Sequence, residues 1–263
     1  MKRLVVKLGG HALDSLSPRS AVLLDLAHDV EGLRATGTDV ALVHGGGPQI
    51  AELLASVGVE SRFQDGLRVT DALSMEYVAM ALCSVNVHLC ASLNHAGLAS
   101  SGLSGADAGL FRATSVGSPW GRVGGAPTVR GEVVTALWAA GFTPVVSPVA
   151  TDEDGELLNC NADAAAGALA AALGASTLVL LSDIDQLRSD PDDEATALSS
   201  VTSTQVRDLI FSGAAREGMR PKMSAALDAR DGGAQRVLMA NGTRTHALRA
   251  ALEATIPTTE VVR

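Results

Sequence analysis

Lysine is the scarce cation of this chain. Of its twenty basic residues seventeen are arginine and three are lysine: Lys2, Lys7 and Lys222. Arginine carries nearly all the generic surface charge, so a lysine kept in a special context points to work a compact ammonium does and a planar guanidinium does not. Lys2 merely sits at the terminus. Lys7 lies in an apolar run that ends in Gly9-Gly10, and Lys222 follows Pro221. By strand alternation Lys7 points to the face opposite Val6 and Leu8, and a central strand would bury it. A buried ammonium needs an anion, and a phosphate at the nearby glycines meets that need.

Two β-branched runs end in glycines where helices begin: Gly9-Gly10 after the first, Gly45-Gly46-Gly47 after the second. Glycines let a polyanion approach the backbone, and free N–H groups at a helix start attract it. Neither cluster has the spacing of a Walker A loop or a dinucleotide fingerprint. Arg68 follows an Asp65-Gly66 turn, where it is either a solvated hairpin residue or a bidentate grip for a carboxylate. Asn159, Asn161 and Asp163 stand just ahead of an Ala-rich helix, where Asn161 could cap and Asp163 could favour the helix dipole. The six histidines show no ligand spacing. His44 reads as a structural or rim residue, and His88 and His95, seven apart, as partly exposed on one helix face. No Gly-x-Ser-x-Gly elbow or Cys/His pair offers a covalent nucleophile.

The elements that must position these groups alternate strand and helix, which predicts an α/β fold with an open, mainly parallel central sheet between helical layers. Strands are expected at 3–8, 39–44, 98–103, 144–148, 176–182 and 236–240. Helices are expected from Pro18 (capped by Ser17) to Arg34, at 48–57, 71–95 and 132–140, and from just after Asn161. Asp65-Gly66 predicts a β-hairpin, and Thr202 to Gln205 a capping box opening another helix. Residues 104–130 read as small strands and turns, 151–161 as a polar turn region. Lys222 falls at a helix start, and Asn241-Gly242 leads into a terminal helix.

With 263 residues, 47% apolar, the chain has ample core material, so disorder is excluded. Aromatic residues make up only 3%, which predicts an aliphatic core and disfavours a base-stacking surface. The net charge of −9 disfavours nucleic acid and anionic membranes as partners. Cys83, Cys90 and Cys160 are too few and scattered for a disulfide framework or zinc site; Cys83 and Cys90 are expected to pack on one helix face. A cytoplasmic location follows, since Lys7 and the glycines cut off any signal-peptide core. The uncharged stretch 164–181 reaches membrane-span length but breaks at Gly174, and reads as a helix, a turn and a buried strand.

Taken in order, Lys7-Leu8-Gly9-Gly10, Val43-His44-Gly45-Gly46-Gly47-Pro48-Gln49, Gly66-Leu67-Arg68-Val69-Thr70, Gly102-Leu103-Ser104-Gly105, Asn159-Cys160-Asn161-Ala162-Asp163 and Gly218-Met219-Arg220-Pro221-Lys222 resemble the amino-acid kinase family over essentially the whole chain. The closest likeness is to its branch acting on N-acetyl-L-glutamate. The resemblance implies that family's eight-stranded fold with a β-hairpin lid. It implies an acyl-amino-acid-binding and dimerisation lobe at 1–173 and a nucleotide-binding lobe at 174–263. The implied reaction is ATP-dependent phosphorylation of the γ-carboxylate of N-acetyl-L-glutamate in arginine biosynthesis, with Mg²⁺ carried by ATP.

The resemblance also assigns residues. Lys7 and Lys222 would flank the transferring phosphoryl group, held by Asp163. Gly46, Gly47, Arg68 and Asn159 would bind the acylated amino acid, Arg68 at its α-carboxylate. Gly9, Gly10, Asp183, Ile184, Asp185, Gln186, Leu187, Arg188, Ala214, Ala215 and Arg216 would form the nucleotide site. Gln186 stands where the family usually has glycine, which puts backbone approach to the nucleotide there in question. The chain starts at the first strand, which implies a homodimer insensitive to arginine. The alternatives are a kinase for carrier-protein-linked α-aminoadipate or glutamate in lysine biosynthesis, and a non-catalytic amino-acid sensor on the same fold. No basic cluster for a carrier stands near the hairpin, and a sensor does not need both lysines. A dinucleotide-binding oxidoreductase lacks its fingerprint.

Overall fold

The structure, a computed structural model, describes residues 2–9, 13, 16–190, 192–212 and 219–262. Eight strands form the central sheet: β1 (Lys2–Leu8), β2 (Thr38–His44), β3 (Ser100–Ser104), β4 (Thr143–Ser147), β5 (Thr177–Ser182), β6 (Ser200–Thr202), β7 (Arg236–Asn241) and β8 (Thr258–Val262). Their order is β6-β8-β7-β5-β1-β2-β4-β3, and every neighbouring pair is parallel except β7 with β8. The helices are α1 (Ala21–Ala35), α2 (Gly47–Ser56), α3 (Ala72–His95), α4 (Glu132–Ala139), α5 (Ala162–Ala172), α6 (Ser203–Phe211), α7 (Arg220–Asp231) and α8 (Ala247–Leu252).

Alternation along the strands divides the core in two. Val5, Ala41, Val43, Leu178, Leu180, Val237 and Met239 face α4 to α7. Leu4, Val6, Leu8, Leu42, Val179, Leu181 and Leu238 face α1, α8 and the second half of α3. Lys7 shares its face with Val5 and so points toward α5, as alternation predicts. Trp138 of α4 donates from Nε1 to Val40 O at 2.8 Å and lies under the Arg3 guanidinium. A smaller cluster, including Ile50, Leu54, Met75, Val78 and Leu82, joins α2 to α3.

The α5–α7 contact is built from small side chains. A Cβ on Gly167 would lie 2.8 Å from Ala225 O, and one on Gly232 would overlap the Ala171 side chain. The alanine content of 164–172 therefore serves close helix approach, and α5 and α7 are the helices that carry Asp163 and Lys222.

Several boundaries depart from the sequence reading. Ser17 does not cap a helix: its hydroxyl accepts from Arg19 N in a tight turn, and α1 begins after Ser20. The polar region 151–161 contains a strand, Leu157–Cys160, paired with Val149–Thr151 in a six-stranded second sheet. The terminal helix is followed by β8, whose Thr259 and Val261 are buried; its Thr-Thr-Glu-Val-Val run is strand-favouring. Cys83 is exposed, Cys90 partly buried and Cys160 buried. The 164–181 stretch is α5 plus β5, as expected. Among the described residues α3 alone has the length and apolar composition to cross a bilayer, with 50% of its most apolar window buried in the fold.

Candidate active site

β1 brings Lys7 to the carboxyl end of the sheet almost fully buried, at 6% exposure. Its Nζ lies 3.0 Å from Asp163 Oδ1. Gly9, just beyond, leaves the necessary room: a side chain there would overlap the ammonium. Asn161 caps α5, accepting from the N–H groups of Asp163 and Ala164 at 2.8 and 3.2 Å. That cap fixes the first turn of α5, on which Asp163 sits at 4% exposure. From the other side α7, with Pro221 in its first turn, brings Lys222 Nζ to 3.7 Å from Asp163 Oδ2. Burial alone would raise the carboxyl's pKa; the two ammoniums outweigh it and hold the group below the usual carboxylate range. Among the described residues this sets one carboxylate between two ammoniums.

The glycine cluster at the end of β2 opens α2, with Gly46 as N-cap and Gly47 as first residue. Gly45 to Gly47 line one cleft with Arg68, Asn159, Asn161 and Ala162. No described residue accepts a hydrogen bond from the N–H of Gly46 or Gly47. A Cβ on Gly46 would approach Leu82 Cδ2 to 2.9 Å, so glycine is needed for packing as well as for access.

The predicted hairpin is present. Phe63–Gln64 pairs with Leu67–Arg68 across Asp65 and Gly66, both at positive φ (51° and 76°), the geometry of a type I′ turn. Arg68 is buried. Its guanidinium donates to Gly47 O at 3.0 Å and to Ser61 Oγ, and stacks on the Phe63 ring at 4.6 Å. No described carboxylate lies within ion-pair distance of it, and burial lowers its pKa. This is a buried cation with no anion among the described residues. The solvated-hairpin alternative is excluded.

Asn159 lines the same cleft and donates to Thr70 Oγ1 at 3.2 Å. Thr70 N donates to Trp120 O, and Trp120 Nε1 to Gln64 O at 3.1 Å. The loop around Trp120 therefore holds the outer strand of the hairpin.

The residues that the resemblance assigns to a nucleotide are more dispersed. Asp183 is exposed, Ile184 is half-buried, and Leu187 is a core residue. Asp185 makes a bidentate pair with Arg244 at 2.8 and 2.7 Å, and Arg188 pairs with Glu194. Gln186 turns toward the last strand: its Nε2 donates to Thr258 O at 3.1 Å, while Leu187 N donates to Thr259 Oγ1. The extra side chain thus ties this loop to β8. Gly10, Ala214, Ala215 and Arg216, together with the motif residue Gly218, lie outside the described residues.

Sequence reasoning missed the packing of Ser61 and Phe63 on Arg68, the Trp120 latch and the depth of His44. His44 is 0% exposed, and desolvation drops its pKa to about 4. Its position directly before a glycine run, at the buried end of a strand, was the available signal.

Two ammoniums held on one carboxylate, beside backbone N–H groups that no described residue accepts from, suit the transfer of a phosphoryl group. The model of the amino acid kinase family matches residues 2–241, and the chain belongs to that family. It is 40% identical over 261 residues to the acetylglutamate kinase of Symbiobacterium thermophilum, covering 94% of this chain and 86% of that protein. With the acetylglutamate kinase of Geobacillus stearothermophilus the identity is 37%, over 93% of this chain and 92% of that one. Among solved structures, smu.665 from Streptococcus mutans superposes with a TM-score of 0.81 at 27% identity, covering 91% and 94%.

Proposed function

We propose that the protein transfers the γ-phosphoryl group of ATP to the γ-carboxylate of N-acetyl-L-glutamate, yielding N-acetyl-L-glutamyl 5-phosphate for arginine biosynthesis. The observation that carries this reading is the Lys7–Asp163–Lys222 centre, at 3.0 and 3.7 Å, on a chain whose relatives are acetylglutamate kinases. The acceptor carboxylate is already ionised at neutral pH, so no general base is needed. Its oxygen attacks the γ-phosphorus in line as the bond to the ADP oxygen breaks, and no covalent enzyme intermediate forms. Catalysis then consists of alignment and charge neutralisation. Lys7 and Lys222 face the charge spreading over the phosphoryl oxygens, while Asp163 keeps the two ammoniums apart and oriented. The Gly46 and Gly47 N–H groups add donors, and Arg68 holds the substrate's α-carboxylate under the hairpin lid, with Asn159 beside it.

Mg²⁺ enters with ATP as part of that substrate, neutralising phosphate charge. The acidic residue at the centre is committed to lysines, which fits a metal brought by the nucleotide. Residues 183–188 belong to the nucleotide lobe, 174–263, and residues 1–173 to the lobe for the acylated amino acid. We place the protein in the cytoplasm as a homodimer. A stripe of exposed apolar residues on α3 at seven-residue spacing, Leu73, Met80 and Val87, supports pairing with a second copy.

The test is MgATP-dependent acyl-phosphate formation trapped with hydroxylamine, comparing N-acetylglutamate, glutamate and carrier-linked aminoadipate. Turnover of N-acetylglutamate alone, lost in Lys222→Arg, is expected. Activity only on the carrier-linked substrate would move the enzyme to lysine biosynthesis, and no turnover at all would favour a sensor.

A further inference from the structure

The buried pair His44 and Asn86 lies behind the glycine cluster and is not assigned by anything above. His44 Nδ1 is 2.7 Å from Gly45 O, and its Nε2 is 3.0 Å from Asn86 Nδ2. Asn86 Nδ2 also donates to Val145 O at 2.9 Å. A backbone carbonyl can only accept, so the Asn86 group facing both partners is its NH₂. Nε2 of His44 must then accept, which leaves the ring proton on Nδ1, aimed at Gly45 O. That carbonyl too can only accept, so both ends of the ring require the same tautomer. The amide that dictates it has a prepared seat: a side chain at Gly102 would overlap Asn86 Oδ1, and Cys90 Sγ donates to that oxygen at 3.8 Å.

The consequence lies in the next peptide unit. The carbonyl of Gly45 and the N–H of Gly46 belong to one planar trans amide and point in opposite directions. Holding the carbonyl inward on the His44 ring turns the Gly46 N–H outward, on a loop that lines the cleft. The Gly45 N–H is fixed as well, by Leu8 O at 3.1 Å. A glycine run has the widest conformational freedom of any sequence, so a donor aimed at a reacting group must be held by something else.

We infer that His44, with its tautomer set by Asn86, is a positioning residue that aims the Gly46 N–H at the transferring group. This rests on the proposed phosphoryl-transfer site. The desolvated environment agrees with it: the ring stays neutral through the working pH range, so the donor to Gly45 O and the acceptor to Asn86 are both preserved.

The experiment has two parts. In the wild-type protein, ¹⁵N-edited imidazole spectra should show His44 as the Nδ1–H tautomer; an Nε2–H tautomer overturns the inference, whatever any variant does. In steady-state kinetics His44→Phe, which keeps the ring volume but removes both nitrogens, should lower kcat by about 10- to 100-fold, with KM for ATP within about twofold (on the order of 0.4 kcal/mol). His44→Asn, whose amide nitrogen falls near the imidazole Nδ1, should recover most of kcat. Rates are taken per folded molecule, so a merely structural role would lower stability and leave kcat unchanged. An unchanged kcat in folded His44→Phe, or no recovery in His44→Asn, refutes the positioning role. Lys222→Arg is run alongside. If it loses turnover while His44→Phe does not, this inference alone fails; if Lys222→Arg is fully active, the site reading itself fails.

Discussion

Replacing Asp163 with asparagine keeps the shape of the centre and deletes the negative charge that both ammoniums approach. The carboxylate is 4% exposed, with Lys7 Nζ 3.0 Å from one oxygen and Lys222 Nζ 3.7 Å from the other. In Asp163→Asn two ammoniums face each other across a neutral amide, one of them nearly fully buried. Breaking a buried ion pair from one side costs about 3–5 kcal/mol. Lys222 keeps some access to water, at 17% side-chain exposure, which puts the expected loss at the lower end, about 3 kcal/mol. The assay is urea unfolding followed by far-UV circular dichroism, with acyl-phosphate formation alongside; kcat should fall by on the order of 100-fold. Inorganic phosphate should stabilise the variant more than the wild type, because the anion takes the place of the missing carboxylate. Wild-type pH dependence follows from the depressed carboxyl pKa: the contribution is present above the ordinary carboxylate value, about 3.9, and is lost only as acid titrates through the lower folded one. A variant within 1 kcal/mol of wild type (about the size of one hydrogen bond), with no added response to phosphate, would refute the view that Asp163 is the counter-charge of both lysines.

His44 titrates at about 4 in the folded chain against 6.5 ordinarily, so the unfolded state takes up its proton first. Stability should therefore fall as pH drops from 6.5 to 4, by about 1.4 kcal/mol per unit from this group; His44→Asn should lack that component, and equal slopes in urea unfolding would contradict it. Gly167→Ala pushes a methyl to 2.8 Å from Ala225 O and must separate α5 from α7, costing about 1–3 kcal/mol. Because those helices carry Asp163 and Lys222, kcat should fall too, and thermal unfolding with kinetics would expose a variant that changes neither. Gln186→Gly cuts the tie to Thr258 O and should raise KM for ATP severalfold while leaving KM for acetylglutamate alone; an unchanged ATP dependence argues against a role for that tie.

Lys7, Asp65-Gly66 and the start of α5 were legible in the sequence because each rests on a local rule. Strand alternation gives the face of Lys7, a two-residue turn needing positive φ gives the hairpin, and an asparagine before an alanine run gives the cap. Lys222 stood out by composition alone. The meeting of Lys7, Asp163 and Lys222 was not a local fact: it depends on how closely α5 packs on α7, which Gly167 and Ala225 decide across the fold. Arg68 is similar. Residue type left it open between solvent and ligand, and only the packing of Phe63 and the Gly47 carbonyl around it removed the first choice. The last strand is not legible in the sequence because five residues after Ile256-Pro257 carry too little periodicity to mark one; pairing with β7 makes them a strand. His44 was left open between a structural and a rim residue, and the complete burial of the strand end selects the first.

The chain's poverty in aromatic side chains gives the Trp120 latch an optical consequence. The protein has two tryptophans. Trp138 is pinned between Val40 O and the Arg3 guanidinium, on a helix packed against the sheet. Trp120 hangs its indole N–H on Gln64 O, at the tip of the hairpin over the cleft. In Trp138→Phe the emission would come from a single indole whose hydrogen bond makes or breaks with the hairpin's position. The fold thus carries its own fluorophore at the mouth of the cleft lined by Gly46, Gly47 and Arg68, so a displacement of the hairpin would be timed by stopped flow with no label attached.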